Sequence, residues 1–338
     1  MARLLRSLGG VGGEPPAGTP LLPLHRINRI ATLAILPLMA LAIVVFPRIA
    51  QKTAAPVLPR EGTIVVAELR GESMTFLDLA TGHSRQLAVP GPAHELVTDG
   101  AHVYASLGRG NAVLDVDPAG PSIVRSAAIA GEPHGLALGD ESLLVTLDSA
   151  NGLLTLNRAT LSVTSRENTG DTPHSVATGP GGTFVTDSRD NRLRKLPSGE
   201  TAPVGELPES VALTAEFVVT ADNVGGTLTV LRAGTLAAYR TIAVGAGPVR
   251  VVALAPDRVV VAVGGKAQLA IVNVRTGKVE KRVTVLGRPD GICLNRDGSF
   301  AAVVSNEADA VQVFRVSDWR LAGTLSVGNG PGACLWLP

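Results

Sequence analysis

Cysteine is nearly missing from this chain of 338 residues: Cys293 and Cys334 are the only two, which excludes a small scaffold stapled by a disulfide framework. No C-x-x-C-H occurs, so covalent heme attachment has no basis. Aromatic residues are also scarce at 3%. The two tyrosines and two tryptophans form no aromatic hot spot for a partner, and Trp319 and Trp336 read as packing residues. A G-x-x-x-x-G-K-[ST] phosphate loop is absent. The glycine runs at 10–13, 224–226 and 263–266 lack the strand-to-helix setting of a dinucleotide site. No serine sits in a G-x-S-x-G elbow, so nothing marks nucleophilic hydrolysis.

An excess of charge of one sign is also lacking, with a formal net charge of +1. The distribution is uneven: seven of the 30 Lys/Arg but one of the 29 Asp/Glu precede residue 61. The remainder is mildly acidic, without a basic field, basic helix or zinc-finger spacing, and this excludes nucleic acid as a partner.

Within the basic leader, 30–46 reads IATLAILPLMALAIVVF, a run without formal charge. As a helix it would span about 25 Å, slightly less than a hydrocarbon core. Arg3, Arg6, Arg26 and Arg29 precede it, and Arg48 and Lys52 follow, a bias that places the N-terminus inside and the rest of the chain outside. The sequence thus divides into a cytoplasmic leader 1–29, a transmembrane or signal-anchor segment 30–47, a tether 48–61 and a domain 62–338. The expected location is the cytoplasmic membrane, single-pass, with the C-terminal domain extracytoplasmic. A cleaved signal peptide, giving a secreted protein, is the alternative, although no A-x-A site ends the run; a buried soluble helix is the third reading.

The 38 glycines and 23 prolines are spread among Val-, Ile- and Thr-rich segments, which favours many short strands joined by turns. A phrase recurs at the head of each unit: AHELVTDG, PHGLALGD, PHSVATGP, PESVALTA, PVRVVALAPD, PDGICLNRDG and PGACLWLP. The residue after its Ala/Pro is His94, His134, His174, Glu209, Val249, Asp290 and Gly332, at separations of 40, 40, 35, 40, 41 and 42. Each interval then holds three further apolar strands, the makings of one four-stranded blade. TIVVA and MTFLDL at the start lack an inner strand, and PGACLWLP at the end lacks outer ones, so the termini complete one blade between them. The reading is an all-β, seven-bladed β-propeller preceded by one transmembrane helix. A six-bladed ring or a sandwich is the alternative left by the short 174-to-209 interval.

This phase, with NRDGSFAAVVSNEADAVQVFRV at 295–316, resembles the YVTN-type and lactonase-like β-propellers over 62–338. The YVTN tetrapeptide is replaced by VTLD, VTDS and VTAD. His134–Gly135 also gives a weaker likeness to streptogramin-lyase-like propellers, from which His94 and His174 depart, being followed by glutamate and serine. The resemblance implies that the loops leading into the inner strands share one face with the turns between second and third strands. His94, His134, His174, Glu209 and Asp290 would then meet at the channel mouth as a candidate metal or ligand ring. Imidazole and carboxylate suit a divalent metal, although no cofactor is assigned. The plainer reading is architectural, each imidazole bonding to loop carbonyls.

Glu68, Arg109, Asp148, Asp187, Asp222, Lys266 and Glu307 form a second candidate set, a polar funnel between second and third strands. Cys293 and Cys334 fall in the last two inner strands, one register position apart; we expect buried free thiols, the alternative being a disulfide. By fold analogy the chain is a membrane-anchored extracytoplasmic binding or assembly module for a protein, peptide or small molecule. The alternative is a metal-assisted lyase or lactone hydrolase at the channel mouth.

Overall fold

The computed structural model describes residues 57–338. The leader, the apolar segment 30–47 and the first part of the tether lie outside the described residues. No helix among the described residues is long and apolar enough to cross a membrane.

The short apolar segments form seven four-stranded antiparallel sheets. Blades 2 to 7 run through 96–128, 133–168, 173–203, 208–243, 248–284 and 289–326. Blade 1 takes its innermost strand, Pro331–Leu337, from the end of the domain and its outer strands, Thr63–Glu68, Ser73–Asp78 and Ser84–Ala88, from the beginning. The junction pairs Thr63 with Leu337 and Val66 with Cys334, so the ring closes without an unpaired inner edge. Seven blades, not six, accommodate the 35-residue interval because the outer strand of blade 4 shrinks to Thr201–Pro203.

Burial explains why the strands read as continuous apolar runs. Val103–Leu107 and Phe217–Asp222, second strands of blades 2 and 5, are buried at every position, because each sheet is covered on both faces by its neighbours. The outer strand Ser122–Ala128 is almost wholly exposed. Fully buried side chains such as Phe184 and Phe217 each stabilise the fold by roughly 1.5–3 kcal/mol.

Alternation along a strand decides which neighbour a residue meets. In blade 7, Ile292 packs with Val260 and Ile271 of blade 6, whereas Cys293 packs with Val66 and Trp336 of blade 1. This corrects the expectation of free thiols: Cys293 and Cys334 form a disulfide, with a Cα–Cα distance of 5.7 Å. The facing surfaces of adjacent blades are opposite faces of equivalent sheets. A one-position offset between equivalent strands therefore turns the two thiols toward each other. The bond ties blade 7 to the strand that completes blade 1.

Candidate functional site

The loops that lead into the inner strands are fixed by a repeated device. Asn111, Asn151 and Asn191, spaced by 40, occupy left-handed turns between second and third strands, with φ of 48°, 49° and 54°. Their side-chain oxygens reach the loop leading into the next blade: Asn111 accepts from Gly131 and Glu132 N–H at 3.1 Å, Asn151 from Thr172 N–H at 3.3 Å and Asn191 from Leu207 N–H at 2.8 Å. Asparagine tolerates this backbone region because its short polar side chain bonds locally. Hydroxyls of the second strands add a further clamp. Ser106 Oγ donates to the His134 carbonyl at 2.6 Å and Thr146 Oγ1 to the His174 carbonyl at 3.1 Å.

Held this way, His94, His134, His174, Glu209, Val249, Asp290 and Gly332 all line one cavity of about 190 Å³ at the channel mouth, with Leu69, Glu95, Arg250 and Arg288. The imidazoles form a stack of tilted rings, with centroids 4.8 Å apart and planes at 57° from His94 to His134, and 3.9 Å apart and at 41° from His134 to His174. His174 Nδ1 lies 2.8 Å from the Glu209 carbonyl and His134 Nδ1 lies 3.2 Å from the His174 carbonyl. A carbonyl only accepts, so both rings carry their proton on Nδ1. His134 Nε2 is then an acceptor, which makes His94 Nδ1 the donor across 3.2 Å. All three rings are neutral Nδ1–H tautomers, leaving Nε2 of His94 and His174 as acceptors not used within the stack.

Burial reinforces this state. It holds His174 down to about 4, His134 well below its ordinary value, and His94 below it as well. The acids move the other way: burial, helped by the Asp290 charge, pushes Glu209 up to about 7, and burial pushes Asp290 up to about 6. Asn223 Nδ2 donates to Glu209 Oε2 at 3.3 Å.

Beneath the mouth lies an inner cavity of about 330 Å³, walled by inner strands and reaching Ser175, Ser210, the Cys293–Cys334 bridge and Trp336. Two side chains belong to both cavities, Glu95 and Arg250. Arg250 Nη1 donates to Glu95 Oε2 at 2.6 Å, spanning the channel from blade 6 to the loop leading into blade 2. Burial works against the Arg250 charge, but Glu95 and Asp290 outweigh it and raise its pKa.

Sequence reasoning missed this pair. The residues following the markers are Glu95, Gly135, Ser175, Ser210, Arg250, Gly291 and Ala333, so two opposite charges interrupt a position otherwise kept small. That contrast was the available signal.

None of the seven members of the second candidate set lines either cavity, although the charge of Arg109 acts on His94 and that of Asp148 on Glu209. Glu68, Asp187 and Asp222 are buried where they bind strand side chains. Glu68 accepts from the Ser73 and Thr75 hydroxyls, Asp187 from Arg194 Nε at 2.9 Å, and Asp222 from Thr220, Thr227 and Thr229 at 2.6, 2.9 and 2.7 Å. Arg109, Lys266 and Glu307 are exposed, and Asp148 is half-buried with its carboxyl pushed up to about 6 by burial and by Glu132.

The described residues do not assemble a metal shell at the mouth. His134 has both ring nitrogens engaged, and among the described residues no three His, Cys, Asp or Glu side chains are grouped to hold an ion. The shell considered for His94, His134, His174 and Glu209 is not assembled by this arrangement.

No family model and no curated protein matches the chain. Solved structures share its fold. A functionally unknown protein from Desulfotomaculum acetoxidans is 13% identical, with a TM-score of 0.69 over 82% of this chain and 99% of that one. A Bacteroides fragilis protein provisionally assigned as a 6-phosphogluconolactonase is 16% identical, with a TM-score of 0.67 over 82% and 98%. AztD from Citrobacter koseri is 12% identical, with a TM-score of 0.63 over 81% and 97%. At these identities the likeness shows the seven-bladed β-propeller fold and no specific family.

Proposed function

We propose that the chain is a membrane-tethered, extracytoplasmic binding propeller that receives a small polar ligand at its channel mouth. One observation carries the reading: the entries to the inner strands of all seven blades deliver their marker residues to a single cavity, where buried imidazoles and carboxyls meet the Arg250–Glu95 ion pair. Such concave sites with a few convergent polar groups are where ligands bind. The disulfide supports an oxidising compartment, in keeping with the arginine-preceded apolar leader. A protein or peptide partner would meet the same face.

The test is thermal stabilisation of the full-length protein by a panel of small amines, carboxylates, zwitterions and polyols, repeated with a His174→Gln/Glu209→Gln variant. A compound that raises the melting temperature of the wild type and not of the variant supports the reading. A panel without effect, or stabilisation unchanged in the variant, contradicts it.

A further inference from the structure

We infer that the ligand of the mouth is a small zwitterion of the α-amino acid class, an inference that rests on the mouth being a ligand site. Two complementary sets of groups meet in the cavity. One consists of acceptors: the tautomer chain leaves His174 Nε2 as a lone pair, and Glu209 and Asp290 add carboxyl oxygens. An ammonium has three N–H donors and no acceptor, the inverse of this wall.

The other set is cationic. Arg250 gives Nη1 to Glu95, but its Nε is buried without a hydrogen-bond partner. A buried donor on a charged group is costly to leave unmade. The Nε–Nη2 edge of a guanidinium matches the two oxygens of a carboxylate, and Glu95 can keep Nη1 while that edge is taken. Arg288 also lines the cavity and adds a second positive charge, which acts on Glu209 and Asp290.

Charge balance separates a zwitterion from a simpler ion. Arg250 and Arg288 already face the carboxyls of Glu95, Glu209 and Asp290, so a lone cation or anion would add net charge and leave the opposite set unmatched, which is unfavourable for buried groups. A zwitterion adds none and satisfies both sets. The volume of about 190 Å³ holds about six waters at roughly 30 Å³ each, the scale of glycine, alanine or serine.

The experiment is calorimetric titration of the full-length protein with alanine, alanine amide and lactate, which carry both groups, the ammonium alone and the carboxylate alone. Alanine is expected to bind about tenfold or more tighter than either analogue. Arg250→Lys, which keeps a cation for Glu95 and removes Nε, is expected to weaken alanine by about tenfold or more and to leave alanine amide unchanged. Equal affinity for alanine and either analogue, or wild-type alanine affinity in Arg250→Lys, would overturn the inference. If alanine fails while one analogue binds and Glu209→Gln removes that binding, the zwitterion falls and the mouth remains a ligand site. If none of the three binds, the zwitterion falls, and the broader thermal panel decides the mouth separately.

Discussion

Arg250 and Glu95 meet at 2.6 Å across the central channel, although 155 residues separate them, and they are the two side chains common to the mouth and the inner cavity. The pair acts as a bar between the two spaces and joins blade 6 to the approach of blade 2.

Breaking that bar from one side leaves the other charge poorly solvated. Glu95→Gln is expected to destabilise the domain by roughly 2–4 kcal/mol. The double variant Glu95→Gln/Arg250→Gln should recover most of the loss, since neither charge then remains alone. Denaturant unfolding of the four proteins of the cycle measures the coupling; additive losses would remove the pair from the stability of the ring.

Glu209 gives a stability that depends on pH. Its carboxyl rises from 4.5 to about 7 on folding, so its contribution is full below 4.5 and is lost as pH rises through 7. Glu209→Gln mimics the protonated acid and escapes that loss. The variant should match the wild type at pH 4.5 and exceed it by about 1–3 kcal/mol at pH 8, read from urea midpoints at both values.

The histidine stack behaves in the opposite sense. His174 falls from 6.5 to about 4, so its contribution is present above 6.5 and is lost as pH falls through 4. Imidazole nitrogen resonances recorded at pH 5 should show His174 and His134 neutral, with the proton on Nδ1. Protonation of either ring near 6.5 would contradict the stack.

The disulfide closes a loop with a sequence separation of 41 residues and fastens the strand that completes blade 1. Its removal by Cys293→Ser/Cys334→Ser is expected to cost about 2–4 kcal/mol and to expose the Thr63–Glu68 junction first. Hydrogen exchange of Val65 and Val66 amides checks the location of the loosening.

Much of this fold was legible because a propeller repeats one problem seven times. The phrase at His94, His134 and His174 returns at fixed intervals, and equal intervals must place equal residues at equal heights around the axis. The convergence of the marker residues was what the resemblance to known propellers implied for that phase. What lay beyond it depends on relations between unlike blades. No local pattern pairs Glu95 with Arg250, since only ring closure brings them together. The thiols were misread because register was compared within equivalent strands, whereas contact occurs between opposite faces of neighbouring sheets. Glu68, Asp187 and Asp222 were taken for members of a polar funnel, yet nearby serine, threonine and arginine side chains give them partners inside the blades.

A crystal structure of the protein grown with the most stabilising compound of the thermal panel addresses the ligand site most directly. Density for that compound is expected in the mouth cavity, between His174 and Arg250 and in contact with Glu209. Ordered density for it on the outer blades, with only water at the mouth, would contradict a ligand site there.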